Sequence, residues 1–182
     1  MAEGKVERFL YRWRVRSGLV ALVLTLVFAH PTARSLLLFG AFALAGLGIR
    51  AWASGHLKKD KELAVSGPYR FTRNPLYLGN LLLGAGLAAG AWSWPALVVF
   101  AVYFLLFYSA TIARERRRMK ELFPDGYADY KRSVPLLFPS LRRAGPSPVR
   151  FSGRLYVMNR EYRALAGTVA VGLLLLAKML VF

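Results

Sequence analysis

Apolar runs of near-spanning length constrain this chain more than any other feature. They cover about residues 17–30, 35–53, 76–94, 95–112 and 164–182. A bilayer core needs about 20 consecutive apolar residues if they are helical. Backbone polar groups inside it must be satisfied within the chain, so helices or a closed barrel are the options. Continuous apolar runs, without period-two alternation, choose helices. The expected fold is therefore all-α: a polytopic membrane protein of five spans, read as one membrane domain over 1–182. Only "WSWP" separates the third and fourth runs, which predicts a tight helical hairpin. His30-Pro31 ends the first run.

Charge agrees with that count. The 182 residues are 56% hydrophobic, yet carry 26 Lys and Arg against 9 Asp and Glu, a net charge of +17. A soluble nucleic-acid binder can be this basic but not this apolar, so no nucleic-acid partner is expected. Five basic residues precede the first run, one (Arg34) follows it, five lie between Lys58 and Arg73, none lies in the Trp92–Pro95 turn, and thirteen lie between Arg114 and Arg163. Alternate loops are basic, which orients the N-terminus and the polar chemistry to the cytosol. Much of the charge is then orientation and contact with anionic lipid; Arg143, in the linker-like "PSLRRAGPSPVRFSG", is expected to meet only headgroups. "RLYVMNREYRALAG" reads as helix at the interface before the last run. Cysteine is absent and there are two histidines, so no metal site is expected. No cleavable signal peptide is evident. No obligate protein partner is evident either.

"GAGLAAG", residues 84–90, has the look of a nucleotide loop, but no strand precedes it and no polar residue accompanies it. Small residues that let membrane helices approach closely are the better reading.

Polar chemistry gathers at two places. In "SGPYRFTRNPLYLGN", residues 66–80, asparagine is a strong N-cap and proline suits the first helical turn. Asn74 is expected to cap the third helix and Pro75 to start it. Such a helix start favours anions. Arg73 stands beside it, with Tyr77 and Asn80 four and seven residues on. In "FYSATIARERRRMKELFPDGY" nothing breaks a helix between Phe107 and Phe123. Tyr108, Thr111, Glu115 and Arg118 share one face of that helix by spacing. Glu115 is flanked by arginines, and a neutralising role at the interface is its plainest reading. Tyr127 and Tyr130 follow, three apart on a short helix, and two prolines then bracket "LLF", which is expected to fold back onto the membrane surface.

Together, "SGPYRFTRNPLYLG" and "RERRRMKELFPDGYADYKRSVPLLFPSL" resemble the isoprenylcysteine carboxyl methyltransferase family, with related patterns in phospholipid N-methyltransferases and, more distantly, membrane sterol reductases. The likeness covers about residues 64–140. The family pattern is Gly-Pro-Tyr-Arg, then Arg-His/Asn-Pro-x-Tyr, then Glu-Glu-x-x-Leu, Phe-Gly-x-x-Tyr-x-x-Tyr and Val-Pro. Gly67, Pro68, Tyr69 and Arg70 match its entry turn. Arg73, Asn74, Pro75 and Tyr77 match the second cluster. Glu115 matches the first Glu, while Arg116 stands where the second is usual and Pro124 where Gly is usual. Tyr127, Tyr130 and Pro135 match the tail.

The resemblance implies a methyltransferase that uses S-adenosyl-L-methionine on a lipophilic or lipidated acceptor, such as the carboxylate of an isoprenylcysteine. Arg73 and Glu115 would be its catalytic pair. Tyr69, Arg73, Asn74, Tyr77, Tyr108, Glu115, Tyr127 and Tyr130 would hold the cofactor. An NADPH-dependent reductase of the sterol-reductase type is the alternative, since the basic run Arg114–Arg118 suits a phosphorylated dinucleotide. A non-enzymatic relative that lost its cofactor is the third reading, supported by Arg116.

Overall fold

The computed structural model describes residues 5–140 and 149–181. All regular structure among them is helical: α1 (Lys5–Val27), α2 (Ala33–Ser54), a 3-10 turn (Gly67–Arg70), α3 (Pro75–Ala91), α4 (Trp94–Tyr103), a π-helical segment (Phe104–Tyr108), α5 (Ser109–Leu122), α6 (Pro124–Ser133), α7 (Gly153–Met158) and α8 (Tyr162–Val181). Helices form over all five apolar runs. Three are long and apolar enough to cross a bilayer on that ground alone: Ala33–Ser54, Trp94–Leu122 and Tyr162–Val181. Pro75–Ala91 is a shorter apolar helix of 17 residues, about 25 Å at 1.5 Å per residue. α1 differs from expectation, because its basic arm is continuous with the apolar run in one helix of 23 residues.

Small residues bring α2 and α3 together. A Cβ on Gly79 would stand 2.9 Å from the Gly46 carbonyl oxygen, so the backbones themselves touch there. Further along, Cβ atoms on Gly86 and Gly90 would press on the Cβ of Phe42 and Phe39 at 2.7 and 2.8 Å. "GAGLAAG" is thus a packing surface. Phe39, Ala43, Ala91 and Leu175 form the buried apolar centre where α2, α3 and α8 meet.

Helix ends are satisfied by both near and distant side chains. Thr32 and Ser35 form a capping box at the start of α2. Ser35 Oγ also donates to the Gly90 carbonyl at 2.9 Å. Lys178 Nζ donates to the Leu26 and Val27 carbonyls at 2.7 and 2.8 Å, closing the C-terminus of α1. Trp92 closes α3 in the left-handed conformation (φ 48°), and α4 starts two residues later, so the hairpin is as tight as "WSWP" predicts.

Three expectations need correcting, and a fourth segment, the tail, gains anchors. Asn74 occupies the N-cap position, but its side chain makes no cap bond; its amide donates instead to the Leu136 carbonyl at 2.8 Å. The helix around Phe107 is continuous but not uniformly α, since the π segment ends at Tyr108. A π turn adds a residue to the helix and rotates what precedes it, so the apolar helix before Phe104 is turned relative to α5. The tail "PLLF" is tied into the protein: Pro135 and Leu136 carbonyls accept from Arg73 N–H and Thr72 Oγ1 at 2.9 and 3.3 Å. Finally, the stretch before the last run is two helices, broken at Asn159–Glu161 where Arg160 takes φ 56°. Most of the linker, with Arg143, lies outside the described residues.

The chain has no cysteine, so single introduced cysteines report cleanly on topology. Helix Trp94–Leu122 has 29 residues, about 43 Å end to end. Cysteines placed at Trp92 and Lys120 are expected to react with an impermeant maleimide from opposite sides of a sealed vesicle. Labelling from one side would remove the span between them.

Candidate functional site

The two halves of the motif meet although about 35 residues separate them. Gly67 enters the 3-10 turn at φ 56°, and a Cβ there would stand 2.6 Å from the His56 ring, so only glycine fits. The turn buries Tyr69, whose carbonyl accepts from Tyr130 Oη at 2.7 Å. Tyr127, Tyr130 and Val134 of α6 and its end form a small core with Leu63, Met119 and Phe123. Hydrogen bonds from the Arg73 N–H and from the Thr72 and Asn74 side chains to the Pro135 and Leu136 carbonyls then fix the chain at Thr72–Asn74, where α3 begins.

Between these parts lies a cavity of about 480 Å³, within the range of small-molecule sites. Tyr69, Arg73, Asn74, Tyr77, Glu115, Tyr127 and Tyr130 all line it. Tyr77 Oη donates to Glu115 Oε2 at 2.5 Å, joining α3 to α5. Arg73 Nη1 lies 3.5 Å from Tyr127 Oη, and Arg73 Nε is buried with no partner among the described residues. A buried guanidinium donor without a partner is costly, and a bound carboxylate or phosphate oxygen would relieve it. The phenols of Tyr69 and Tyr130 are pushed above their ordinary range, first by burial. Glu115 adds to the shift at Tyr69, while Arg73 opposes it at Tyr130. Both therefore stay neutral. Tyr130 spends its hydroxyl on Tyr69 and contributes a wall.

Tyr108 is the exception. It lines a second cavity of about 410 Å³ and meets the Tyr77 ring edge-on at 5.7 Å. That cavity is apolar, walled by residues of α1, α3, α4, the π segment and α8, among them Leu22, Leu83, Phe100 and Val171. Arg50 and Asn80 line both cavities. Arg50 Nη1 donates to Asn80 Oδ1, and Arg50 Nε to Glu161 Oε1 at 2.5 Å. The two side chains thus form a polar throat between a polar chamber and an apolar one.

Sequence reading passed over Arg50 and Glu161. A signal for Arg50 existed: a charge inside an apolar run is expensive and usually faces a functional interior. No local pattern marked Glu161. Tyr11 was missed too; it lines the polar cavity, with the Arg14 and Arg114 guanidinium carbons 4.1 and 4.0 Å from its ring centroid. The basic run of α5 is not one patch, since Arg114 stacks on Tyr11 and Arg118 pairs with Asp60 at 2.8 Å. Arg116, in the place of the usual second Glu, lines the polar cavity. Among the described residues no group of His, Cys, Asp and Glu is placed to hold a metal ion.

A family model described as phospholipid methyltransferase matches residues 13–126. The Cobalt-zinc-cadmium resistance protein CzcN of Cupriavidus metallidurans is 34% identical over 150 residues, which cover 75% of this chain and 68% of that one. The Nickel-cobalt-cadmium resistance protein NccN of Alcaligenes xylosoxydans xylosoxydans is 30% identical over 154 residues, covering 77% and 71%. The Protein-S-isoprenylcysteine O-methyltransferase of Schizosaccharomyces pombe is 25% identical over 99 residues, covering 54% of this chain and 42% of its own length. No solved structure matches.

Proposed function

The chain belongs to the phospholipid methyltransferase family of membrane methyltransferases, and from that premise we propose that it moves a methyl group from S-adenosylmethionine to a lipophilic acceptor. One observation carries the reading: a polar chamber and an apolar chamber adjoin, and Arg50 and Asn80 are common to both. A polar cofactor suits the first and a hydrocarbon chain the second.

The residues of the polar chamber fit the cofactor. Arg73, with its unpartnered Nε, would take the carboxylate. Glu115, held by Tyr77, would take the ammonium or a ribose hydroxyl. The rings of Tyr69, Tyr77 and Tyr127 supply faces that attract a cation. When bound, the cofactor supplies an electrophilic methyl group. The chain's part is to hold the two reactants in line, which accounts for much of the rate in such transfers, and to keep water out of the throat.

The acceptor's reactive group decides whether a base is needed. A carboxylate, as on an isoprenylcysteine, is already a nucleophile and needs none. An amine, as on a phospholipid headgroup, must lose a proton, and Glu115 is the carboxylate set between cofactor residues to accept it. The absence of any required base makes the carboxylate acceptor our preferred reading. We place the polar chamber and the N-terminus on the cytosolic side, where the basic loops gather, with anionic lipids as their partners. Two relatives are named for metal resistance; on this reading a shared role would pass through modification of a membrane component.

Isothermal titration of the detergent-purified protein is expected to show binding of S-adenosylhomocysteine and none of NADPH. The reverse result would favour the reductase reading, and binding of neither the non-enzymatic one. Label from methyl-tritiated S-adenosylmethionine is expected in N-acetyl-S-farnesylcysteine or in phosphatidylethanolamine vesicles. Gly167 lines the apolar chamber, and a Cβ there meets nothing within 4 Å. Gly167→Phe should therefore fill the chamber without a clash at the backbone. Its methyl transfer is expected to fall tenfold or more, with S-adenosylhomocysteine affinity changed less than threefold. An unaffected turnover would show that the acceptor lies elsewhere.

A further inference from the structure

The chain after the family-matched region returns to the site. Ser152 N–H donates to the Gly55 carbonyl at 3.0 Å, and the Phe151 ring lies 6.3 Å from the His56 ring. Asn159 Nδ2 bridges the Ser54 and Leu57 carbonyls at 2.9 and 3.0 Å, gripping the C-terminal end of α2. The left-handed Arg160 then turns the chain, and Glu161 points inward with 7% of its surface exposed. Its carboxylate meets Arg50 Nε, while the same guanidinium reaches Asn80 of α3.

A carboxylate this buried is costly unless it is paired. Arg50 answers that cost, but the pairing also constrains Arg50. A long side chain with many rotamers is held by two bonds from two different elements, which fixes the plane of its fork. It also makes the throat nearly neutral. Without Glu161, a mobile and uncompensated cation would stand where the two chambers meet.

We propose that Glu161 is a positioning residue of the transfer site: through Arg50 it sets the geometry and charge of the throat, so that the segment from Phe151 to Glu161 completes a site the family-matched residues leave open. This rests on the methyltransferase reading above. Glu161 itself lines the polar chamber, and in this scheme it acts through Arg50.

A double-mutant cycle tests it, because residues acting as a unit give non-additive losses. Glu161→Gln, Arg50→Gln and the double variant are made in the whole chain; each single variant leaves the other charge unpaired, and the double variant leaves none. Turnover is read per folded molecule with labelled S-adenosylmethionine and the two acceptor probes above, beside S-adenosylhomocysteine affinity. Each single variant is expected to lose tenfold or more in kcat with cofactor affinity changed less than threefold. The double variant should lose no more than Arg50→Gln alone, and Glu161→Asp should recover part of the loss. Additive losses would overturn the proposal, as would a Glu161→Gln protein that melts earlier but turns over normally. If Glu161→Gln does not fold, a lowered kcat in a folded Glu161→Asp variant, with cofactor affinity changed less than threefold, supports the proposal, and a wild-type kcat overturns it. A wild-type protein that labels neither probe would fail earlier, at the methyltransferase reading itself, and the proposal would fall with it.

Discussion

Glu115→Gln is expected to weaken S-adenosylhomocysteine binding by tenfold or more and leave the fold intact. Glu115 is half-buried on α5 and accepts a hydrogen bond from Tyr77 of α3 at 2.5 Å. Glutamine keeps the length of the side chain and an oxygen for Tyr77 to donate to. What it removes is the charge, and with it the attraction for an ammonium group. A hydrogen bond to a charged group contributes about 1.5–3 kcal/mol, and about 1.4 kcal/mol is a factor of ten in affinity. The competing account makes Glu115 a counterion to the arginines of its own helix. That account predicts a lower melting temperature and an unaltered dissociation constant. Calorimetric titration beside thermal melting separates the two, and unchanged affinity in a well-folded variant would remove Glu115 from the cofactor site.

Arg73→Ala is expected to cost at least as much. Its backbone is fixed by the Pro135 carbonyl at 2.9 Å, so the side chain starts from a rigid point at the head of α3. Its Nε is buried without a partner and its Nη1 has only a long contact with Tyr127. An anionic cofactor group would satisfy both at the positive end of a helix. Arg132→Ala serves as the control, because Arg132 is 82% exposed and pairs with the equally exposed Asp129 on α6. A tenfold or greater loss of S-adenosylhomocysteine affinity is expected for Arg73→Ala and less than twofold for Arg132→Ala. Equal losses would mean that Arg73 serves general electrostatics or lipid contact and not recognition.

Much of the site was legible because the motif is dense in residues with one structural use each. Gly67 must tolerate a positive φ beside His56. Pro75 starts a helix. Tyr127 and Tyr130, three apart, face one way on α6 and become a core. Asn74 shows the limit of such reasoning. Its position at the head of α3 followed from its type, but its side chain found a better partner in the Leu136 carbonyl, 62 residues away. Tyr108 shows another limit. Counting along an α-helix placed it with Glu115, and it does pack on Tyr77 beside that carboxylate, but it lines the apolar chamber and not the polar one.

Membrane character, the helical class and the positions of the apolar helices were determined by the sequence alone. They depend on run length, hydrogen-bond satisfaction and loop charge, which are properties of consecutive residues. Of the eight residues that the resemblance offered for the cofactor, all but Tyr108 line the polar chamber. Only the tertiary structure decided that there are two chambers, that Arg50 and Asn80 stand between them, and that Glu161 reaches back to hold Arg50. Arg50 and Glu161 are 111 positions apart. No periodicity or local propensity couples residues at that distance; their pairing arises where two helix ends and a left-handed turn bring opposite charges together out of water.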